Sequence, residues 1–436
     1  MPKKNKNNNR HFSLNIDIRG MESSPTLLIN ERSEKLRSKG AKIYKLGLGQ
    51  SPFPVPSPVV NALKLHAHEK DYLPVIGLPA LRKAVAEFHR KKDNVNVQAN
   101  NVLVGPGSKE LLFLLQLVFY GEIIVPTPCW VSYEPQAKIV GRKILLPPTT
   151  YEGRWRMTAN RLAEFCECEK DAYRPRLLVL NYPGNPDGLT YTAQELKGIA
   201  KVAREFEIVI LADEIYARLH HTGDHVSIAQ FYPEGTIISS GLSKWCGAGG
   251  WRLGTFSFPP DMDWLMAAMA SVASETYTSV SAPIQYAAVR AFRAGVYIER
   301  YLWHVRRILK RIGGECHTIL SEAGICVHPP EGAFYLFLDF SPFKDRLAKH
   351  GIKDSPALCE KLLGEKHVAC VPGRSFGRPA EELTARLAYV DFDGATALSA
   401  SENIPLDSIL PDDFTQKWCG DVLTGSKAIA QWVTNL

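Results

Sequence analysis

The chain has 436 residues, of which 45% are hydrophobic and 22% are charged, and its formal net charge is +7. This composition is typical of a globular protein with two or three domains and excludes extensive disorder. Four of the basic residues lie within the first ten positions, where there is no acid, so the net charge is a poor indication of nucleic-acid binding and we expect none.

Residues 1–20 are predicted to form a flexible basic tail, because they are rich in Asn and Lys. No apolar run follows the lysines, and no stretch of about 18 apolar residues occurs elsewhere, so we expect neither a secretory signal nor a membrane span. The nine cysteines and twelve histidines show no spacing typical of metal ligands. We therefore expect a cytoplasmic protein with free thiols and no structural metal.

A proline-dense connector, Ser-Pro-Phe-Pro-Val-Pro-Ser-Pro at 51–58, cannot continue a helix or a central strand. It indicates that residues 21–58 form a separate segment, which we expect to join a smaller domain at 301–436. Residues 59–300 are predicted to be the large domain.

In the large domain, short β-rich apolar runs alternate with segments of helical period, a pattern typical of parallel strands joined by crossover helices. Leu78, Leu81, Val85 and Phe88 recur at helical spacing, as do Leu111, Leu114, Leu115 and Val118. The predicted strands are 101–104, 122–125, 176–180, 208–212, 236–239 and 254–258.

The C-terminal third is predicted to be a smaller α+β domain. A long helical stretch over 287–320 comes first, followed by strands near 334–338 and 385–390. The fold class is therefore α/β, with a large sheet domain and a second, smaller domain.

Ligands of open parallel sheets bind beyond the carboxyl ends of the strands, so the residues that follow each strand are informative. The first strand is followed by Gly-Pro-Gly-Ser-Lys-Glu at 105–110 and then by a helix, which turns backbone N–H groups toward an anion such as phosphate. A strand-to-helix turn also uses glycine for purely steric reasons. The spacing of a Walker loop is absent.

Two charged residues follow later strands. Asp213 stands at the end of the fourth predicted strand, where a carboxylate can hold Mg²⁺, cap the next helix or pair with a ring nitrogen. Lys244 lies in a tight turn of small residues after the fifth predicted strand. Shielding from water there favours the neutral amine, which is the form that makes a Schiff base. A lysine, a carboxylate, a phosphate site and an arginine together are what pyridoxal 5′-phosphate requires.

With these motifs, the sequence resembles the fold-type I pyridoxal-phosphate enzymes of the class I and II aminotransferase family, and is most similar to the bacterial-type aspartate aminotransferase branch. The resemblance covers residues 43–389, and Gly-Leu-Ser-Lys at 241–244, followed eight residues later by Arg252-Leu-Gly, fits the family's cofactor-attachment signature. It implies a large domain with a mostly parallel seven-stranded sheet sandwiched by helices, plus a smaller α+β domain.

The resemblance also implies roles for particular residues around the cofactor. Lys244 is similar to the lysine that forms the Schiff base and then acts as general base, and Asp213 to the partner of the pyridine nitrogen. The phosphate would be bound by Arg252 and by the backbone of Gly107, Ser108 and Lys109. Tyr216 and Asn185 match the groups that hydrogen-bond the ring hydroxyl, and Trp130 matches the aromatic residue that stacks on the ring.

Three further positions concern the substrate and a second subunit. Arg386 resembles the arginine that grips the α-carboxylate as a fork, and Gly49 the backbone that closes over it. Asn185 and Trp130 also belong to the substrate site. Tyr72 matches a tyrosine that reaches the phosphate of the partner subunit, which implies a homodimer with composite sites.

The sequence departs from the family pattern at two places. The usual Asn-Pro-Thr-Gly is Asn-Pro-Asp-Gly at 185–188, and the frequent Pro-Asp-Phe is Ser-Pro-Phe at 51–53. Neither departure removes a group that does chemistry, but the second lies near the substrate lid.

For the substrate, Lys109 is the clue, because in the aspartate branch a lysine here reaches the distal carboxylate; a solvent-exposed lysine on a helix is the alternative. We expect ping-pong amino transfer from aspartate to 2-oxoglutarate. The alternatives are an aromatic or other amino-acid transaminase, a lyase of the same fold, and a ligand-binding regulator. A regulator fused to a DNA-binding module would need dozens more residues ahead of the fold than the roughly 20 mostly polar ones here.

Overall fold

The computed structural model describes residue 15 and residues 18–21, 25–168 and 174–436. Residues 1–14, which make up most of the predicted basic tail, lie outside this set. In the described residues, no helix is long and apolar enough to cross a membrane. The same residues contain no group of three or more His, Cys, Asp and Glu side chains placed to hold a metal ion.

Seven strands form the larger sheet. They are β1 (Val102–Gly105), β2 (Glu122–Ile124), β3 (Ile144–Leu145), β4 (Arg176–Asn181), β5 (Val209–Asp213), β6 (Thr236–Gly241) and β7 (Gly254–Ser257). Their order is β1-β7-β6-β5-β4-β2-β3. The neighbours from β6 to β3 pair in parallel, which confirms the mostly parallel seven-stranded sheet.

Strand β7 runs antiparallel to both of its neighbours, β1 and β6, and is the strand that makes the sheet mostly rather than wholly parallel. The cause is the connection between β6 and β7. Residues 242–253 contain no crossover α-helix, only the short 3-10 helix Gly249–Trp251, so the chain turns back beside the strand it has just left. This returning connection carries both Lys244 and Arg252.

Helices cover both faces of the large sheet. Along β4, Leu177 and Val179 join an apolar core with helices α4 and α8, whereas Leu178 and Leu180 join a core with α6 and α7. The α-helices are α1 (Pro25–Arg37), α2 (Ser57–Leu65), α3 (Pro79–Lys92), α4 (Ser108–Val118), α5 (Tyr133–Ile139), α6 (Ala159–Cys168), α7 (Ala193–Glu205), α8 (Asp263–Thr276), α9 (Ala282–Phe292), α10 (Val296–Glu322), α11 (Lys344–Lys349), α12 (Ser355–Lys366), α13 (Gly394–Glu402), α14 (Phe414–Trp418) and α15 (Gly420–Thr434).

The long helical stretch predicted over 287–320 is two helices, α9 and α10. They are separated by Arg293, Ala294 and Gly295, and the last two have positive φ angles of 52° and 105°, which a continuous α-helix does not allow. Helix α10 continues through residue 300, where the predicted domain boundary falls. The division of the chain into domains therefore stays a prediction.

A smaller antiparallel sheet has the order β8-β10-β9, with β8 at Tyr335–Asp339, β9 at Val371–Pro372 and β10 at Thr384–Ala388. The N-terminal segment lies against it, since Tyr44 bridges to Val368 and the Ala388 N–H donates to the Leu46 carbonyl at 2.7 Å. Residues before the proline-dense connector thus contact the C-terminal third of the chain.

Candidate active site

A cavity of about 600 Å³ opens where β4 and β5 end and the β6–β7 connection begins. Nine of the twelve predicted site residues line it: Gly49, Ser108, Lys109, Trp130, Asn185, Asp213, Tyr216, Lys244 and Arg252. The volume suits a ligand of cofactor size together with a small substrate. Of the other three, Gly107 and Arg386 lie directly behind the lining residues, and Tyr72 lies away from them.

The side chain of Lys244 enters the cavity from the connection that follows β6. Its Nζ donates a hydrogen bond to the Gly49 carbonyl at 2.9 Å and lies 5.5 Å from the centre of the Tyr216 ring. Burial, reinforced by the positive charges of Arg386 and Arg252, lowers the pKa of Lys244 to about 8. About a tenth of this amine is therefore neutral at pH 7, far more than for an ordinary lysine, and the neutral form is the one that acts as a nucleophile.

Asp213 is the last residue of β5, and its side chain is almost fully buried. The Tyr133 hydroxyl donates to one carboxylate oxygen at 2.7 Å, and the Ser239 hydroxyl donates to the other at 3.1 Å. Burial raises the pKa of Asp213, while these two hydrogen bonds act in the opposite direction. The carboxylate is thus fixed in orientation at the floor of the cavity.

The turn between β1 and α4 forms a compact cradle for an anion. Gly107 has a φ of 93°, and a Cβ built on it would lie 2.2 Å from Nη2 of Arg252. A Cβ on Gly254 would lie 2.2 Å from the backbone nitrogen of Ser108, the first residue of α4. Both glycines are therefore required, and they bring a guanidinium and the N-terminus of a helix to one point.

Trp130 and Lys109 lie side by side at the cavity wall. The Lys109 Nζ lies 5.2 Å from the centre of the Trp130 ring. Burial, followed by the nearby positive charge of Arg252, lowers the pKa of Lys109. Lys109 is thus a partly buried cation rather than a freely solvated one.

Arg386, on β10, is 2% exposed and lies behind Asn185. One guanidinium nitrogen donates to the Asn185 side-chain oxygen at 2.9 Å, and another donates to the Gly47 carbonyl at 2.5 Å. Its Nε is buried without a hydrogen-bond partner among the described residues. Asn185 is held in turn, because its N–H donates to the Asn181 side chain at 2.7 Å.

The hydroxyl groups of Tyr216 and Tyr335 lie 2.7 Å apart, and both rings are buried. Tyr335 and Tyr133 are two residues at the site that the sequence did not predict there. In the sequence each looks like an ordinary buried aromatic residue. Neither was among the residues that the family resemblance links to the cofactor or the substrate. For Tyr133, the signal was its position three residues after Trp130, in the same short segment.

Tyr72 is not brought to the cavity. It lies between α2 and α3 and is 89% exposed. Within one chain it therefore takes no part in the site.

The residues around the cavity fit pyridoxal 5′-phosphate. A buried amine with a lowered pKa, a buried carboxylate and a glycine-lined cradle with an arginine surround one space, which matches the aldehyde, the ring nitrogen and the phosphate of that molecule. Trp130 supplies an aromatic wall between them.

Comparisons with known proteins agree with this arrangement. The model of the family "Aminotransferase class I and II" matches residues 41–390. An aspartate aminotransferase from Bacillus sp. (strain YM-2) is 32% identical over 400 residues, which cover 88% of this chain and 95% of that protein.

Two solved structures extend the similarity to the fold. The aspartate aminotransferase from Thermus thermophilus with maleate has a TM-score of 0.79 at 28% identity and covers 89% of this chain and 98% of its own. The aromatic aminotransferase from Pyrococcus horikoshii OT3 has a TM-score of 0.75 at 26% identity and covers 92% and 98%.

Proposed function

The chain belongs to the aminotransferase class I and II family, and we propose that it transfers the amino group of aspartate to 2-oxoglutarate by a ping-pong mechanism. As a member of that family it is a pyridoxal-phosphate-dependent transaminase. The choice of aspartate rests on the cations of the cavity and on the similarity to aspartate aminotransferases.

Bound pyridoxal 5′-phosphate supplies an aldehyde that captures amino groups and a ring that accepts electrons when the bond from Cα to hydrogen breaks. In our proposal, Arg252 and the backbone of Gly107, Ser108 and Lys109 bind the phosphate. Asp213 keeps a proton on the ring nitrogen, and its hydrogen bonds from Tyr133 and Ser239 support the charged form that this requires.

Four other side chains complete the cofactor end of the site in this proposal. Trp130 stacks on the ring, and Tyr216 and Asn185 donate hydrogen bonds to the ring hydroxyl. Lys244 first holds the cofactor through Nζ and then carries the proton to and from Cα of the substrate. Its lowered pKa suits both tasks, because the amine can gain and lose a proton near neutral pH.

The observation that carries the choice of an acidic substrate is the environment of Lys109. Its ammonium lines the cavity, is partly buried, and has a lowered pKa because of burial and Arg252. A carboxylate beside the ammonium would offset both the cost of its burial and its repulsion from Arg252. Since Arg386 is a second buried cation next to the cavity, a dicarboxylate is the substrate that pairs with both, with Gly49 closing over the α-carboxylate.

A second candidate is an aromatic amino-acid transaminase. The similarity in fold to the aromatic aminotransferase favours it, since that enzyme uses the same architecture. In that case Trp130 would face an aromatic side chain, and Lys109 would have no substrate partner.

We also propose that the active enzyme is a homodimer, in which Tyr72 binds the cofactor phosphate of the other subunit. The exposure of Tyr72 supports this, because its side chain is available to a second chain. We propose that the enzyme acts in the cytoplasm in amino-acid biosynthesis, and the nine cysteines, all free thiols in the described residues, are compatible with a reducing compartment.

The test is a panel of amino donors with 2-oxoglutarate as acceptor, together with borohydride reduction of the purified protein and mapping of the modified peptide. We expect the highest kcat/KM with aspartate and a label at Lys244. Rapid turnover of tyrosine or phenylalanine with none of aspartate would establish the second candidate instead. A label at another lysine would overturn the assignment of the site.

A further inference from the structure

Tyr335 is a buried residue of the smaller sheet whose hydroxyl reaches the cavity side of the larger one. Its oxygen lies 2.7 Å from the Tyr216 hydroxyl, and both side chains are at most 2% exposed. The hydroxyl is the only polar atom of each side chain and has one proton to donate. Whichever tyrosine donates in this hydrogen bond can therefore not donate to a third group.

The position of Tyr335 is fixed from two sides. Tyr335 and Arg386 lie on paired strands, β8 and β10, and the Arg386 guanidinium lies 4.7 Å from the centre of the Tyr335 ring. On the other side, a Cβ built on Gly49 would lie 2.1 Å from the Tyr335 hydroxyl oxygen. The absence of a side chain at position 49 is what leaves room for this hydroxyl.

The direction of the hydrogen bond follows from the number of protons. Each phenol carries one proton, so Tyr216 can donate to the ring hydroxyl of the cofactor only if the bond between the tyrosines is donated by Tyr335. We propose that Tyr335 is a positioning residue, whose hydroxyl donates to Tyr216 and so directs the Tyr216 proton toward the cofactor ring. This inference rests on the proposed roles of Tyr216 and Lys244.

The consequence concerns the proton affinity of the linkage between Lys244 and the cofactor. With the cofactor bound, the Tyr216 hydroxyl would donate to the negative ring oxygen, and this hydrogen bond would matter most when the linkage is unprotonated. A donor behind Tyr216 strengthens this bond and so favours the unprotonated form. The charged groups that act on the Lys244 amine are Arg386, Arg252, Lys109 and Asp213, and all four remain in place when Tyr335 is replaced by Phe.

The experiment is a pH titration of the visible absorbance of the bound cofactor in the holoenzyme, for the wild type and for Tyr335→Phe. The variant removes one oxygen and keeps the ring. We expect the midpoint to rise by about half a pH unit or more, as the loss of one hydrogen bond implies. In a Tyr216→Phe background, Tyr335→Phe should cause no further shift, because the donor that it orients is gone.

Tyr389→Phe is the matched control, since Tyr389 is fully buried nearby but its hydroxyl faces His221 at 3.4 Å. It should leave the midpoint unchanged. If Tyr335→Phe does not fold, Gly49→Ala displaces the same hydroxyl from the other side and should give the same upward shift. If Tyr335→Phe has the midpoint of the wild type, or shifts it equally with and without Tyr216→Phe, the inference about Tyr335 is wrong but the proposed function stands. If the wild type itself shows no titrating absorbance band, the proposed function is overturned as well.

Discussion

The hydroxyl of Tyr133 donates a 2.7 Å hydrogen bond to Oδ2 of Asp213, at the end of β5. Tyr133 is the first residue of α5, a different element from the strand that carries Asp213. Burial raises the pKa of Asp213, and the hydrogen bond from Tyr133 lowers it and so stabilises the charged carboxylate. The same contact joins the Trp130 segment to the sheet, because the Trp130 and Tyr133 rings meet edge to face at 5.3 Å.

We predict that Tyr133→Phe weakens cofactor binding roughly tenfold or more, since hydrogen bonds to charged groups contribute about 1.5–3 kcal/mol. Without this donor the pKa of Asp213 rises further, so its carboxylate becomes protonated at a higher pH. When the pH is lowered, the variant should therefore release its cofactor earlier than the wild type does. Equilibrium dialysis of the cofactor at a series of decreasing pH values, for the wild type and the variant, measures this.

Tyr182→Phe is the matched control for that variant. Tyr182 is also a buried tyrosine, but its hydroxyl donates at 2.8 Å to Glu214, the residue after Asp213. It should reduce stability without changing the pH at which the cofactor is released. Equal effects of the two substitutions would show that the Tyr133 hydroxyl has no specific role.

The lowered pKa of Lys244 predicts the pH dependence of cofactor uptake. The neutral amine is the reactive form, and in the folded protein it predominates above about pH 8 instead of above the ordinary lysine value of 10.5. The rate at which the apoenzyme takes up pyridoxal 5′-phosphate should therefore rise with pH and level off above about 8. Stopped-flow absorbance measures the rate, and a rise that continues toward pH 10 would contradict the burial of this amine.

Lys109→Met should affect acidic substrates selectively. We expect the KM for aspartate and for 2-oxoglutarate to rise roughly tenfold or more, because a charged hydrogen bond is lost, while turnover of phenylalanine changes little. Lys138→Met, on the exposed side of α5, is the control and should leave both unchanged. An equal loss toward acidic and aromatic substrates would argue against a role of Lys109 in specificity.

The departure from Asn-Pro-Thr-Gly is explained by an ion pair. Asp187 pairs with Arg156, both are at most 5% exposed, and Asp187 also accepts a 2.8 Å hydrogen bond from the Leu189 N–H. We predict that Arg156→Met lowers the free energy of unfolding by about 3–5 kcal/mol, because it leaves a buried carboxylate unpaired.

The double variant Arg156→Met with Asp187→Thr should recover much of that loss in chemical denaturation. Lys361→Met, which breaks the exposed pair with Glu365, is the control and should cost less than about 1 kcal/mol. Additive losses in the double variant would mean that the two buried residues do not depend on each other.

The proposed composite site, in which Tyr72 reaches the other subunit, predicts complementation between subunits. Neither Lys244→Ala nor Tyr72→Ala should be active at limiting cofactor, but a mixed dimer has one intact site. Coexpression of differently tagged chains should restore roughly a quarter of the wild-type activity if subunits mix at random. Activity no higher than the average of the separate variants would show that Tyr72 acts within its own chain, or not at all.

Much of the fold and site was predictable, because strands and their following motifs are local in sequence. All six predicted strands of the large sheet occur within two residues of the predicted bounds. The two-residue β3 is too short to give a pattern, and the direction of β7 depends on a connection rather than on its own apolar residues. The pairs Tyr133–Asp213, Tyr216–Tyr335 and Arg156–Asp187 join residues distant in sequence, so no local spacing reveals them.

The contact between Gly254 and the Ser108 amide has a consequence for how such enzymes diversify. The main chain of the turn at Gly107 and Ser108 forms part of the cradle for the anion, and a substitution of another side chain in the cavity leaves these backbone groups in place. The groups proposed to bind the substrate carboxylates are the Arg386 side chain, on β10, and the Lys109 side chain, whose residue contributes only its backbone to the cradle. Substitutions at these side chains can therefore change substrate specificity during evolution without altering the backbone that binds the cofactor phosphate.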